Sequence, residues 1–124
     1  MTKALIVDDS KTVRMILSRL LKEVGFQTLD QAGDGQEALQ RLRDGKPDLV
    51  LVDWNMPVMS GYDFLVEMRS HRDYDDVAVV MVTTESEMSQ VACALEAGAN
   101  EYVMKPFTKE VIREKLDLLQ ASRN

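Results

Sequence analysis

The stretch DLVLVDWNMP, Asp48 to Pro57, decides the fold. Leu49, Val50, Leu51 and Val52 form an unbroken apolar run, too short for a helix. Such a run reads as a strand buried on both faces, as in a parallel sheet covered by helices on either side. The run delivers a carboxylate, Asp53, and then Trp54, Asn55 and a turn toward Pro57. A strand that ends this way is a rigid post for a charged group.

Outward from this stretch the same motif recurs. Apolar runs at Ala4–Val7, Val77–Val82 and Tyr102–Met104 read as further strands, with a weaker one at Thr28–Ala32 broken by Asp30 and Gln31. Interrupted patterning of that kind suits an edge strand. Between the runs lies helical periodicity. Val13, Ile16, Leu17, Leu20, Leu21 and Val24 recur three and four apart, and Gly25 stops them. Asp34, Ser60, Ser86 and Thr108 read as caps of four more helices. Ala38, Leu39 and Leu42 form the inward face of the first, closed by Gly45, and Phe64, Leu65 and Met68 that of the second. Val91, Ala94 and Leu95, ended by Gly98, line the third, and Val111, Ile112, Leu116 and Leu119 the last. Five strand–helix units predict an α/β domain, a doubly wound parallel five-stranded sheet. Most methionines fall among the apolar positions and read as core filler.

The chain's 124 residues suit a single domain over 1–124. With 45% hydrophobic and 29% charged residues the composition is that of an ordinary globular protein, and no apolar run is long enough to span a membrane. A net charge of −6 argues against nucleic acid as a direct partner. The single cysteine, Cys93, has no internal disulfide partner and fits a reducing, cytoplasmic setting. Cys93 reads as a packing residue, and His71, in a polar stretch, as a solvated one.

The strands end in Asp8-Asp9, Asp53, Thr83-Thr84 and Lys105-Pro106. In a parallel sheet these ends share one edge, where open α/β sheets bind their ligands. Each alone has a plainer reading: Asp9-Ser10 as a helix cap, Asp53 as a turn opener, Glu85 as a solvated first-turn residue. Together they form a site. Two like charges ~4 Å apart repel by about 4 kcal/mol at an effective dielectric of ~20, so the three acids need Lys105, a divalent cation, or both. Oxygen-only ligands without clustered His or Cys favour Mg²⁺ or Mn²⁺ over zinc. A carboxylate beside such an ion and a lysine is equipped to attack phosphorus and become an aspartyl phosphate, with the Thr83 hydroxyl reaching a phosphoryl oxygen.

The motifs LIVDDS (5–10), AGDGQEAL (32–39), LVDWNMPVMSG (51–61), VVMVTTE (79–85) and EAGANEYVMKPF (96–107) occur in an order and spacing that resembles the receiver domains of bacterial two-component response regulators. Among these the chain is most similar to the CheY-like single-domain regulators of chemotaxis, from Lys3 to about Leu119. The resemblance implies a flavodoxin-like fold of strand order 2-1-3-4-5, the order that the general rule for such sheets already gives for this family. It implies Asp53 as phosphoacceptor and Lys105 as its partner, with a cis Lys105–Pro106 bond. It implies Mg²⁺ held by Asp8, Asp9, Asp53 and the Asn55 backbone carbonyl. Thr83 and Tyr102 would be a switch pair, and Asn55 and Glu85 would tune dephosphorylation. The implied partners are a CheA-like sensor histidine kinase, an output protein such as the flagellar motor switch, and a phosphatase. Ser10, Thr84 and the segment ESEMSQ (85–90) depart from the best-known members and bear on partner choice rather than on phosphoryl chemistry. The alternatives are a phosphorelay intermediate, a type IV pilus or other non-flagellar regulator, a phosphoaspartate-type hydrolase and a flavin- or nucleotide-binding module. The hydrolase lacks room for a cap domain, and the acidic DDSKTV (8–13) is unlike a phosphate-cradling loop.

Overall fold

The computed structural model describes residues 2–123, with side chains through residue 120. Strands β1 (Lys3–Val7), β2 (Thr28–Ala32), β3 (Leu49–Asp53), β4 (Ala78–Thr83) and β5 (Glu101–Met104) alternate with helices α1 (Lys11–Glu23), α2 (Gly35–Asp44), α3 (Gly61–Arg69), α4 (Val91–Glu96) and α5 (Lys109–Arg123). All pairings are parallel and the order is β2-β1-β3-β4-β5. This is the doubly wound, flavodoxin-like arrangement.

Strand periodicity splits the core into two layers. Leu5, Val7, Val50, Val52, Val79 and Met81 face Ala38, Leu42, Phe64, Leu65, Met68 and Ala94 from α2, α3 and α4. Ala4, Ile6, Leu49, Leu51, Ala78, Val80 and Val103 face Leu17 and Leu21 of α1 and Ile112, Leu116 and Leu119 of α5. Each valine, leucine, isoleucine, phenylalanine or methionine among them contributes about 1.5–3 kcal/mol when fully buried. β3 is buried along its whole length, which is why it reads as a continuous apolar run.

The caps at Asp34, Ser60 and Thr108 accept from the backbone N–H groups of Glu37, Asp63 and Val111 at 2.8, 3.1 and 3.2 Å. Gly25, at φ 114°, follows α1 and turns the chain where a side chain would be strained. The fourth helix differs from expectation. Ser86 is not its cap: Thr84 caps a 3₁₀ turn over Glu85–Gln90, and α4 proper begins only at Val91. Thr84 and Glu87 have the spacing of a capping box, which outcompetes Ser86 because both of its ends are satisfied. Ile16, Leu95 and Val111 lie on helices as expected but are exposed. Among the methionines of the described residues only Met68 and Met81 are buried in the core, while Met15 and Met104 are exposed.

Candidate functional site

The register brings the polar residues together. Val7 pairs with Val52, so Asp8 stands level with Asp53 at the next step; Asp53 in turn pairs with Val82, just before Thr83. Along β3, Leu49, Leu51 and then Asp53 alternate toward the α1/α5 side. Along β4, Val79, Met81 and then Thr83 alternate toward the α4 side, and Tyr102, which pairs with Met81, packs on that same layer.

Asp8 and Asp53 are buried and Asp9 is exposed, and one carboxylate oxygen from each lies within 4.8 Å of the others. Lys105 reaches between the two buried acids, its Nζ 3.3 Å from Asp8 Oδ2 and 3.3 Å from Asp53 Oδ1. Burial, and then the charge of Asp8, push the Asp53 carboxyl up to about 6 against the pull of Lys105. Burial works against the Lys105 charge, but Asp53 and Asp8 outweigh it and hold the ammonium above its ordinary range. Among the described residues Lys105 is the one cation paired with this group of three acids, through Asp8 and Asp53, so the cluster carries surplus negative charge. Its donors are all oxygens, a set suited to a hard divalent cation such as Mg²⁺ or Mn²⁺.

The scaffold around the cluster is stiff. Asp8 Oδ1 accepts from the Ser10 N–H at 2.8 Å, and Ser10 caps α1. Arg14 Nη1 donates to the Asp8 carbonyl at 2.6 Å. After Asp53, the Trp54 N–H donates to the Val82 carbonyl at 3.0 Å, and the buried Trp54 ring stacks on Tyr62 at 5.8 Å. The Lys105 N–H donates to the Thr83 carbonyl at 2.7 Å, and the Lys105–Pro106 peptide is cis.

Thr83 is fully buried and its hydroxyl donates to Met88 Sδ at 3.8 Å. Tyr102 is half-buried, with Lys115 Nζ 4.9 Å above its ring. Asn55, on the loop after β3, and Glu85, the first residue of the 3₁₀ turn after β4, are exposed. Cys93 and His71 are also exposed; a packing role for Cys93 is therefore corrected.

Three contributors escaped the sequence reading. Gly61 opens α3 against the strand: its N–H donates to the Trp54 carbonyl at 2.8 Å, and a Cβ there would press into the Asp53 carbonyl oxygen. No local pattern announces that approach. Arg14 supports Asp8 from one turn into α1. Glu87 is buried and gathers the hydroxyls of Thr84 and Ser86, and its spacing from Thr84 was legible as a capping box.

A family model described as the response regulator receiver domain matches residues 4–117. Chemotaxis protein CheY-3 of Vibrio cholerae is 44% identical over 115 residues, 93% of this chain and 88% of that protein. Chemotaxis protein CheY of Pseudomonas aeruginosa is also 44% identical, covering 93% of each chain. Among solved structures, Vibrio cholerae CheY4 superposes with a TM-score of 0.87 at 33% identity, covering 95% of this chain and 98% of that one. The receiver domain of a signal transduction histidine kinase from Syntrophus aciditrophicus superposes with a TM-score of 0.87 at 31% identity, covering 98% and 92%.

Proposed function

The chain belongs to the response regulator receiver domain family, and from that premise we propose that it is a phosphorylation-driven switch with Asp53 as phosphoacceptor. The observation that carries the reading is Asp53 itself: a buried carboxylate at a strand end, 3.3 Å from Lys105 and grouped with Asp8 and Asp9. All of residues 1–124 are read as one receiver domain, a cytoplasmic signalling component rather than a metabolic enzyme.

The donor set fits Mg²⁺, with Mn²⁺ as a substitute. Asp8, Asp9, Asp53 and the Asn55 backbone carbonyl would hold it. When bound, the ion supplies positive charge that offsets the acids and the incoming phosphoryl oxygens.

The chain's own groups do the rest. An Asp53 oxygen attacks the phosphorus of a phosphohistidine or small acyl phosphate; the new O–P bond forms as the donor's bond to phosphorus breaks, and the leaving group departs with that electron pair. Lys105 holds a phosphoryl oxygen with its ammonium. The Thr83 hydroxyl leaves Met88 and donates to another. Tyr102, half-buried on the same layer, turns into the space that Thr83 frees. The face made by α4, β5 and α5, where Leu95, Met104, Val111 and Leu118 are exposed, then presents a changed surface to an output protein. Hydrolysis returns the Asp53 carboxylate and inorganic phosphate, with Asn55 and Glu85 governing how water enters.

Similarity to chemotaxis proteins supports a chemotaxis or motility pathway, with a CheA-like histidine kinase as donor, the flagellar motor switch or another effector as target, and a phosphatase as a further partner. A phosphorelay role is the second reading, supported by likeness to the receiver of a histidine kinase. The test of the switch is incubation with acetyl phosphate and Mg²⁺, then hydroxylamine. An acyl phosphate on Asp53 is formed and then cleaved to leave a hydroxamate at that position; a hydroxylamine-resistant phosphoryl group would place the modification on a hydroxyl instead.

A further inference from the structure

The Thr83 hydroxyl has an unusual resting partner. The residue is 0% exposed, and among the described residues its Oγ1 donates to a thioether, Met88 Sδ, at 3.8 Å. Sulfur of this kind is a weak acceptor. A buried hydroxyl left with no partner is costly, whereas one with a strong partner is firmly held. The thioether gives an intermediate hold.

The rest of Thr83 is pinned. Its carbonyl accepts from the Lys105 N–H at 2.7 Å, so the backbone stays tied to β5 while the side chain alone is free to re-aim. Met88 is pinned as well. It sits in the 3₁₀ turn Glu85–Gln90, whose head is fixed by the Thr84–Glu87 capping box, with the Glu87 N–H donating to the Thr84 carbonyl at 3.1 Å. The Met88 carbonyl accepts from the Val91 N–H where α4 begins. In contact with the Thr83 hydroxyl, the sulfur lies on the side toward which Thr83 alternates, opposite to that of Asp53.

We propose that Met88 is a positioning residue that sets the resting state of the switch, through the strength with which its sulfur retains the Thr83 hydroxyl. The proposal rests on the phosphoacceptor reading of Asp53. A phosphoryl oxygen competes with Met88 for one proton donor, and the difference between the two acceptors biases the population. The side chain at position 88 thereby tunes how readily a phosphoryl group on Asp53 captures Thr83, without touching that group itself.

The test uses beryllofluoride with Mg²⁺ as the phosphoryl mimic, titrated into wild type, Met88→Leu and Met88→Gln. Leucine keeps the bulk and removes the acceptor, so the mimic should bind about fivefold tighter; glutamine supplies a strong carbonyl acceptor and should weaken binding about fivefold. In a Thr83→Ala background both effects should vanish, because the hydroxyl that couples position 88 to the site is gone. Leu and Gln variants that shift affinity in the same direction, or shifts that persist with Thr83→Ala, overturn the proposal. A wild-type protein that takes up no beryllofluoride overturns the phosphoacceptor reading, and the proposal with it; normal uptake with unmoved variants overturns the proposal alone.

Discussion

The Lys105 ammonium stands 3.3 Å from the Asp53 carboxylate, although β3 and β5 are separated in the sheet by β4. The lysine spans that gap from the end of β5 and meets Asp8 at the same distance, 3.3 Å. Lys105→Ala should leave the fold intact, since the side chain is partly exposed, and push the Asp53 carboxyl higher still. Phosphoryl uptake from acetyl phosphate should slow by about 10²-fold, the usual loss of a preorganised charge partner. Stopped-flow uptake at saturating Mg²⁺ checks this; an unchanged rate would remove Lys105 from the chemistry.

The carboxyl of Asp53 is raised from 3.8 to about 6 by burial and by Asp8. The folded chain thus binds its proton more tightly than the unfolded chain does. For a raised acid, stability falls as pH rises between these two values and the full penalty stands above the upper one. Without metal, Asp53→Asn should therefore stabilise the protein above about pH 6 by on the order of 2 kcal/mol. The gain should fade toward pH 4. Urea melts of both proteins in a chelator, across this range, measure it; a pH-independent difference would contradict the raised carboxyl.

Gly61 is the tightest backbone approach at the site. Its N–H meets the Trp54 carbonyl at 2.8 Å, and an added Cβ would collide with backbone rather than with a yielding side chain. Gly61→Ala should cost about 1–3 kcal/mol and displace the strand end that carries Asp53. Melting temperature reports the first effect and phosphoryl uptake the second.

Removing the metal should be visible through Trp54, which follows Asp53 directly and stacks on Tyr62 at 5.8 Å. Adding millimolar Mg²⁺ to chelator-treated protein should quench Trp54 fluorescence and raise the melting temperature, because a ligand that binds only the folded state stabilises it by mass action. Asp8→Asn with Asp9→Asn should abolish both responses.

How legible these features were in the sequence followed the range of the forces behind them. β2, Thr28–Ala32, and the caps Asp34, Ser60 and Thr108 rest on local patterning, and the structure has them where that patterning predicts. The convergence of Asp8, Asp53 and Lys105 was legible because parallel strands must end on one edge. α4 was misread because two hydroxyl residues, Thr84 and Ser86, compete as caps, and the choice between them is made by Glu87. The closeness of Gly61 to Asp53 and the pairing of Thr83 with Met88 depend on how separate elements meet, which local pattern does not encode.

The central claim is that Asp53 accepts a phosphoryl group, and intact-mass analysis tests it most directly. Wild type and Asp53→Asn are each incubated with acetyl phosphate and Mg²⁺ and their masses recorded over time. Wild type should gain one phosphoryl group and Asp53→Asn none, and neither protein should gain any when a chelator replaces the metal. Equal phosphoryl gain by Asp53→Asn and wild type would contradict it.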